Sequence, residues 1–160
     1  MKSLVVYYSR TGNTKLIGDE VAASLGADVE ELKDGKNRGG LLGFIMCGRE
    51  ALKKEPVDLK PLTHNPADYD MVVVGSPIWG GTICAPVRTF LAQHHGSLNR
   101  VAWFCTSGAV DPEMAAKGFQ AMTEESGLTP AATLGMGRQN IKGDHSQKIS
   151  DFAASLNSHH

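Results

Sequence analysis

The sequence predicts a three-layer, doubly wound α/β fold around a five-stranded parallel sheet, in one domain spanning residues 1–160. Three observations carry this. The apolar runs are short, continuous and rich in β-formers, as in strands buried on both faces. Segments with apolar residues at helical spacing alternate with those runs along the chain. No internal repeat, linker or low-complexity tract interrupts the alternation, so strand–helix–strand units are expected to lie parallel in one sheet.

Leu4-Val5-Val6-Tyr7-Tyr8 reads as the first strand. Asn13 to Leu25 reads as a helix, with Ile17, Val21 and Leu25 on one face and Gly26 where a terminating glycine belongs. Val29 to Leu32 gives a short second strand. After a Gly- and Lys-rich loop from Asp34 to Gly40, Leu41 to Lys54 reads as helical. Met71-Val72-Val73-Val74 is the plainest buried strand and is expected to stop at Gly75. Ala85 to His95 follows as a helix, Pro86 being acceptable in its first turn. Val101 to Cys105 is the fourth strand, Pro112 to Ser126 a helix stopped by Gly127, Ala131 to Leu134 the fifth strand, and Asp144 to Leu156 the last helix.

The composition is that of an ordinary soluble globular protein, with 41% apolar and 21% charged residues. A formal net charge of -1 gives no electrostatic reason to expect nucleic acid or an anionic membrane as partner. Cys47, Cys84 and Cys105 contain no C-x-x-C pair, so neither a disulfide framework nor a thiolate metal site is expected, and a reducing cytoplasm fits. No basic segment followed by an apolar one marks a signal peptide, and no window reaches the ~18 apolar residues of a membrane span.

In such sheets ligands bind outside the carboxyl ends of the strands. Ser9-Arg10-Thr11-Gly12-Asn13-Thr14 joins the first strand to the first helix. Unpaired amides and the partial positive charge of a helix N-terminus favour anions. The hydroxyls of Ser9, Thr11 and Thr14, with Gly12 for close backbone approach, complete a phosphate cradle. The bland alternative, a helix start capped by Asn13 or Thr14, accounts for one hydroxyl and leaves two without a role. A Walker A loop would need Gly-Lys-Ser/Thr, and a dinucleotide turn G-x-G-x-x-G; neither is present. A phosphatase loop would need a cysteine nucleophile here, and a phospho-acceptor domain an Asp where Gly75-Ser76 ends the third strand. A single phosphate remains. Gly75 to Thr82 places Trp79 between glycines at a strand end, offering a flat face to a planar ring. Thr106-Ser107-Gly108-Ala109-Val110-Asp111, after the fourth strand, offers small residues and amides to a ring edge.

The loop Ser9–Thr14 follows the pattern Ser/Thr-x-Thr-Gly-Asn-Thr and resembles the phosphate-binding loop of the flavodoxin family, at the same place after strand 1. The resemblance runs through all five strand–helix units and is to the short-chain form. It implies strand order 2-1-3-4-5 and FMN as cofactor, its 5′-phosphate held by Ser9, Arg10, Thr11, Gly12, Asn13 and Thr14. Ser76, Pro77, Ile78, Trp79 and Gly80 would then flank one face of the flavin ring, and Thr106, Ser107 and Gly108 its pyrimidine edge. Gly80 matches the family's bend glycine, whose peptide turns over on reduction so that its carbonyl meets the ring's N5–H. Two features depart from the family's electron shuttles: no aromatic stands between Thr106 and Gly118, and acids are few around the proposed site.

Leu41 to Met46 is too apolar for one helix face. It reads either as a helix docked on the sheet, or as a lid beside the flavin or a weak self-association patch. Metal-ligand spacing, a Ser-His-Asp set and paired carboxylates are all absent from the sequence, so chemistry would belong to the cofactor. The expected function is transfer of electrons between redox partner proteins. The alternative is an FMN-dependent reductase passing electrons from NAD(P)H to quinones or similar small acceptors. An FMN-binding module without turnover is the third reading.

Overall fold

The computed structural model describes residues 1–108 and 112–158. Ala109, Val110 and Asp111 of the third loop, and His159 and His160, lie outside the described residues. The elements in chain order are β1 (Ser3–Tyr7), α1 (Asn13–Leu25), β2 (Asp28–Glu31), α2 (Gly40–Lys53), β3 (Met71–Trp79), β4 (Thr82–Ile83), α3 (Ala85–His94), β5 (Arg100–Ser107), α4 (Pro112–Ser126), β6 (Thr133–Gly137), α5 (Arg138–Lys142) and α6 (Ser146–Asn157). The five parallel strands run in the order β2-β1-β3-β5-β6, and β4 pairs antiparallel with the end of β3. Counting only the parallel strands, this is the expected 2-1-3-4-5 order.

The continuous apolar runs are explained by two cores. Leu4 and Val6 of β1, Val72 and Val74 of β3, and Trp103 of β5 point to one face, where α3 and α4 bring Val87, Phe90, Leu91 and Met122. Val5, Tyr7, Val73, Ala102 and Phe104 point to the other, covered by Ile17 and Val21 of α1 and by Ile149, Phe152 and Leu156 of α6. Both faces of the sheet are thus buried, and alternation within each strand divides its side chains between them. Cys47, Cys84 and Cys105 are free thiols in the interior. Among the described residues no helix is long and apolar enough to cross a membrane.

β3 does not stop at Gly75. It continues through Ser76, Pro77 and Ile78 to Trp79, and Gly75, Ser76 and Pro77 pair with Phe104, Cys105 and Thr106 of β5. Gly75 is a packing residue: a Cβ there would fall inside the Phe104 ring. The strand then reverses at Gly80 and Gly81, whose φ values of 59° and 77° both lie in the left-handed region. Trp79 pairs with Thr82 across this two-residue hairpin, whose two consecutive positive φ angles favour glycine. β6 runs to Gly137, beyond the expected Leu134, and leads directly into α5, an element absent from the sequence reading.

Candidate functional site

All five parallel strands deliver their loops to one edge of the sheet, and β1 has β2 on one side and β3 on the other, so the strand order reverses there. Gly12, at φ 99° and ψ -10°, is the N-cap of α1 and gives it no side-chain cap. This left-handed conformation is the reason for glycine. The first helical bond is Leu16 N–H to the Gly12 carbonyl at 2.9 Å, so the amides of Asn13, Thr14 and Lys15 precede the helical ladder. Ser9 Oγ accepts from the Gly12 N–H at 3.1 Å and draws the loop into its turn. Thr14 is buried, and its hydroxyl shares a 2.8 Å hydrogen bond with that of Thr106, joining the first loop to the end of β5. Neither Asn13 nor Thr14 is the helix cap.

Ser76 is fully buried; its hydroxyl donates to the Pro77 carbonyl at 2.8 Å and accepts from the Cys84 N–H at 3.1 Å, bracing the hairpin from within. Arg88, buried on α3, adds a second brace with bonds to Thr82 Oγ1 at 3.1 Å, Glu125 Oε1 at 2.9 Å and the Ala51 carbonyl at 3.3 Å. Trp79 is half-buried and meets Tyr8 edge-on, with ring centroids 5.8 Å apart at 86°.

Between these loops lies a cavity of about 540 Å³, within the usual range for small-molecule sites. Arg10, Thr11, Asn13 and Thr14 line it from the first loop, Pro77, Ile78 and Trp79 from the second, and Thr106, Ser107 and Gly108 from the third. Phe44 of α2 and Arg138, Ile141 and Lys142 of α5 complete the wall. Ser9, Gly12, Ser76 and Gly80 are not among the lining residues; the first three shape its walls from behind, and Gly80 opens onto a neighbouring cleft. Three cations and no carboxylate line the cavity among the described residues. This arrangement favours an anionic ligand.

The α2 wall is held by a buried charge network. Arg38 donates to Asp34 Oδ1 at 2.6 Å, to Glu50 Oε2 at 2.8 Å and to Tyr8 Oη at 3.4 Å, while Lys36 reaches Glu50 Oε1 at 2.6 Å. Burial works against the Arg38 charge, but the bonds to Asp34 and Glu50 outweigh it and hold the guanidinium pKa above its ordinary value. Burial likewise opposes ionisation of Glu50, and hydrogen bonds from Lys36 and Arg38 more than offset this, leaving its carboxyl lowered. Arg10 donates to the Arg38 carbonyl at 3.2 Å and lies over the Phe44 ring at 5.5 Å, linking the first loop to this wall. Opposite it, His145 ties α5 to α1: Nε2 bonds Glu20 Oε2 at 2.7 Å, and Nδ1 faces the carbonyls of Asn140 and Gly143 at 3.1 and 3.0 Å. Burial lowers the pKa of this imidazole, but the acceptors on both nitrogens prevail and raise it.

No family model matches the sequence. Among solved structures, a Lactobacillus acidophilus flavoprotein in complex with FMN aligns at TM-score 0.71 and 21% identity, covering 88% of this chain and 96% of its own. The oxidised Flavodoxin 2 of Bacillus cereus aligns at TM-score 0.60 and 21% identity over 98% of both chains. Flavodoxin 1 of the same organism aligns at 0.58 and 14% identity, over 100% of this chain and 99% of that one. This chain has the flavodoxin-like fold.

On that fold, the cavity stands where the strand order reverses, and ten of the fourteen sequence-predicted site residues line it. The flavodoxin-like sheet also carries a second, mostly apolar cleft of about 550 Å³ between α2 and the hairpin, lined by Phe44, Ile45, Leu52, Ile78, Trp79 and Gly80. Leu41, Leu42, Phe44, Ile45 and Leu52 are largely exposed on α2, Leu42 by 83%. α2 is therefore more than a helix docked on the sheet: its apolar surface continues past the core to the edge of the cavity. Arg138, Ile141 and Lys142 escaped the sequence reading because α5 has only five residues and no amphipathic repeat. A basic Arg–x–x–x–Lys spacing directly after the last strand was the available signal. Among the described residues no group of three or more His, Cys, Asp or Glu side chains is placed to hold a metal ion.

Proposed function

We propose that the protein binds FMN in the 540 Å³ cavity and transfers electrons through it. The observation that carries this reading is the uncapped N-terminus of α1, facing a cavity lined with cations and free of carboxylates among the described residues. The donor set fits the cofactor: Thr11 and Asn13, with the unladdered amides of the first turn, suit a phosphate, and Trp79 and Ile78 suit a planar apolar ring. The Lactobacillus acidophilus relative in fold holds FMN, which supports the assignment. FMN supplies one- and two-electron transfer at its ring. The chain's part is to bind, orient and shield. Thr11 and Asn13 receive the phosphate, Trp79 and Phe44 keep water from the ring, and the Thr14–Thr106 bond fixes the distance between the loops.

Passing electrons to partner proteins is the favoured role, supported by the likeness in fold to the oxidised Flavodoxin 2 of Bacillus cereus over 98% of both chains. A reductase acting on small apolar acceptors is the second reading, favoured by the apolar cleft that shares Phe44, Ile78 and Trp79 with the main cavity. Anaerobic mixing with NADPH or NADH separates them: the carrier's flavin absorbance stays oxidised over seconds, whereas rapid bleaching makes the protein a reductase.

Two substitutions test the site itself. Thr11→Val keeps shape and removes a donor to the phosphate; charge-assisted bonds are worth about 1.5–3 kcal/mol, so FMN affinity falls roughly tenfold or more. An unchanged dissociation constant removes the first loop from the site. FMN also quenches Trp79 fluorescence on binding, and Trp79→Ala weakens binding by about 0.5–1.5 kcal/mol beyond lost area. Trp103 is fully buried, with its indole N–H on Thr123 at 3.2 Å, and responds little. Quenching that persists in Trp79→Ala places the ring elsewhere.

A further inference from the structure

We propose that Arg138 and Lys142 form a cationic arm that takes the phosphate monoester of the cofactor, so that α5 selects phosphorylated over unphosphorylated flavin. The inference rests on the FMN-binding reading. The two side chains stand one helical turn apart on α5 and line the cavity together with Ile141, which packs against the α1–α6 core. Like charges at this spacing repel one another. Neither has an acidic partner: among the described residues no ion pair involves Arg138 or Lys142, and no carboxylate lines the cavity. A dianion set between them relieves that repulsion and balances their charge.

The framework places them for this task. β6 ends at Gly137, in register with Ser107 of β5. The preceding residue of β5, Thr106, is hydrogen-bonded to Thr14 in the first turn of α1. α5 therefore starts about one strand spacing, roughly 5 Å, from the strand that touches the uncapped helix end. Its geometry is fixed at both ends. The Gly137 N–H donates to Asn140 Oδ1 at 3.2 Å, and the Gly143 N–H to the Gln139 carbonyl at 3.1 Å. His145, just beyond, is held by Glu20 of α1. The arm and the helix that offers its amides are thus one piece, and a phosphate received by one lies within the field of the other.

The test compares apo-protein binding of FMN and riboflavin, which differ by the phosphate alone, in wild type, Arg138→Gln, Lys142→Gln and Arg138→Lys. Each Gln variant is expected to bind FMN about tenfold more weakly and riboflavin unchanged. Arg138→Lys retains most of the FMN affinity, and the double Gln variant has a shallower dependence of FMN affinity on salt than wild type. Thermal unfolding of the apo-proteins reports whether α5 is intact. Gln variants that bind FMN as wild type does overturn the proposal while leaving the FMN reading standing. So does an equal loss for FMN and riboflavin, because the phosphate is then not what the pair senses. Wild-type protein that binds neither flavin removes the FMN reading and the arm with it.

Discussion

Arg38→Met leaves Asp34 and Glu50 in the interior without their shared cation, and the folded state loses about 3–5 kcal/mol. Arg38 is 3% exposed and is the hub of the network, whereas Lys36 reaches only Glu50. Equilibrium unfolding in urea measures the loss; a change below about 1 kcal/mol would show that the carboxylates find water or other partners. The same network shapes the acid limb of the stability curve. Because the Glu50 carboxyl is held below its ordinary value in the folded protein, its contribution is fully present above the unfolded carboxylate pKa of about 4. It fades as pH falls through the lower folded-state value, and Glu50→Gln removes that part of the acid dependence. A second result follows from position: Arg38 supports α2 and, through its carbonyl, Arg10, so the variant also loosens the Phe44 wall and, on the proposed FMN-binding reading, weakens FMN affinity.

Gly75→Ala is expected to cost about 3 kcal/mol, at the upper end of overpacking penalties. The added methyl group would occupy the Phe104 ring's volume, and β3 is held by β1 and β5 on its two sides, so its backbone cannot shift without breaking a ladder. Phe104→Leu is destabilising alone but relieves the clash, so the double variant should be more stable than the sum of the two single losses predicts by more than 1 kcal/mol. Additive losses in the urea midpoints would show that the ring moves aside freely.

Gly75 also shows where sequence reading reaches its limit. The glycine, followed by Ser76 and Pro77, carries every local sign of a strand end, yet β3 runs four residues further. The glycine is required by a ring on the neighbouring strand, 29 positions away, and no local propensity encodes that. Where local and tertiary demands agree, the reading is close: α1 and α4 have the expected bounds, since Gly12 and Gly26 bracket the first and Gly127 stops the second. The first loop's place on the cavity was legible because its lining residues, Arg10, Thr11, Asn13 and Thr14, are nearly consecutive. The opposite wall was not, because Phe44, Arg138 and Lys142 are brought together by the sheet order alone. The ion network around Arg38 was hidden for the same reason. Asp34, Lys36 and Arg38 fall in what reads as a Gly- and Lys-rich loop, and nothing in that loop's sequence points to Glu50, which pairs with the buried guanidinium.

The three interior thiols have a chemical consequence of their own. Burial disfavours the thiolate at each, pushing Cys84 up to about 11 and Cys105 higher still, with Cys47 also raised. Peroxide and alkylating agents attack the ionised sulfur, and folded-state access to it is closed at all three positions. An oxidant in solution therefore meets no ionised cysteine in the folded protein. If FMN occupies the cavity as proposed, none of the three cysteines competes with it for redox equivalents.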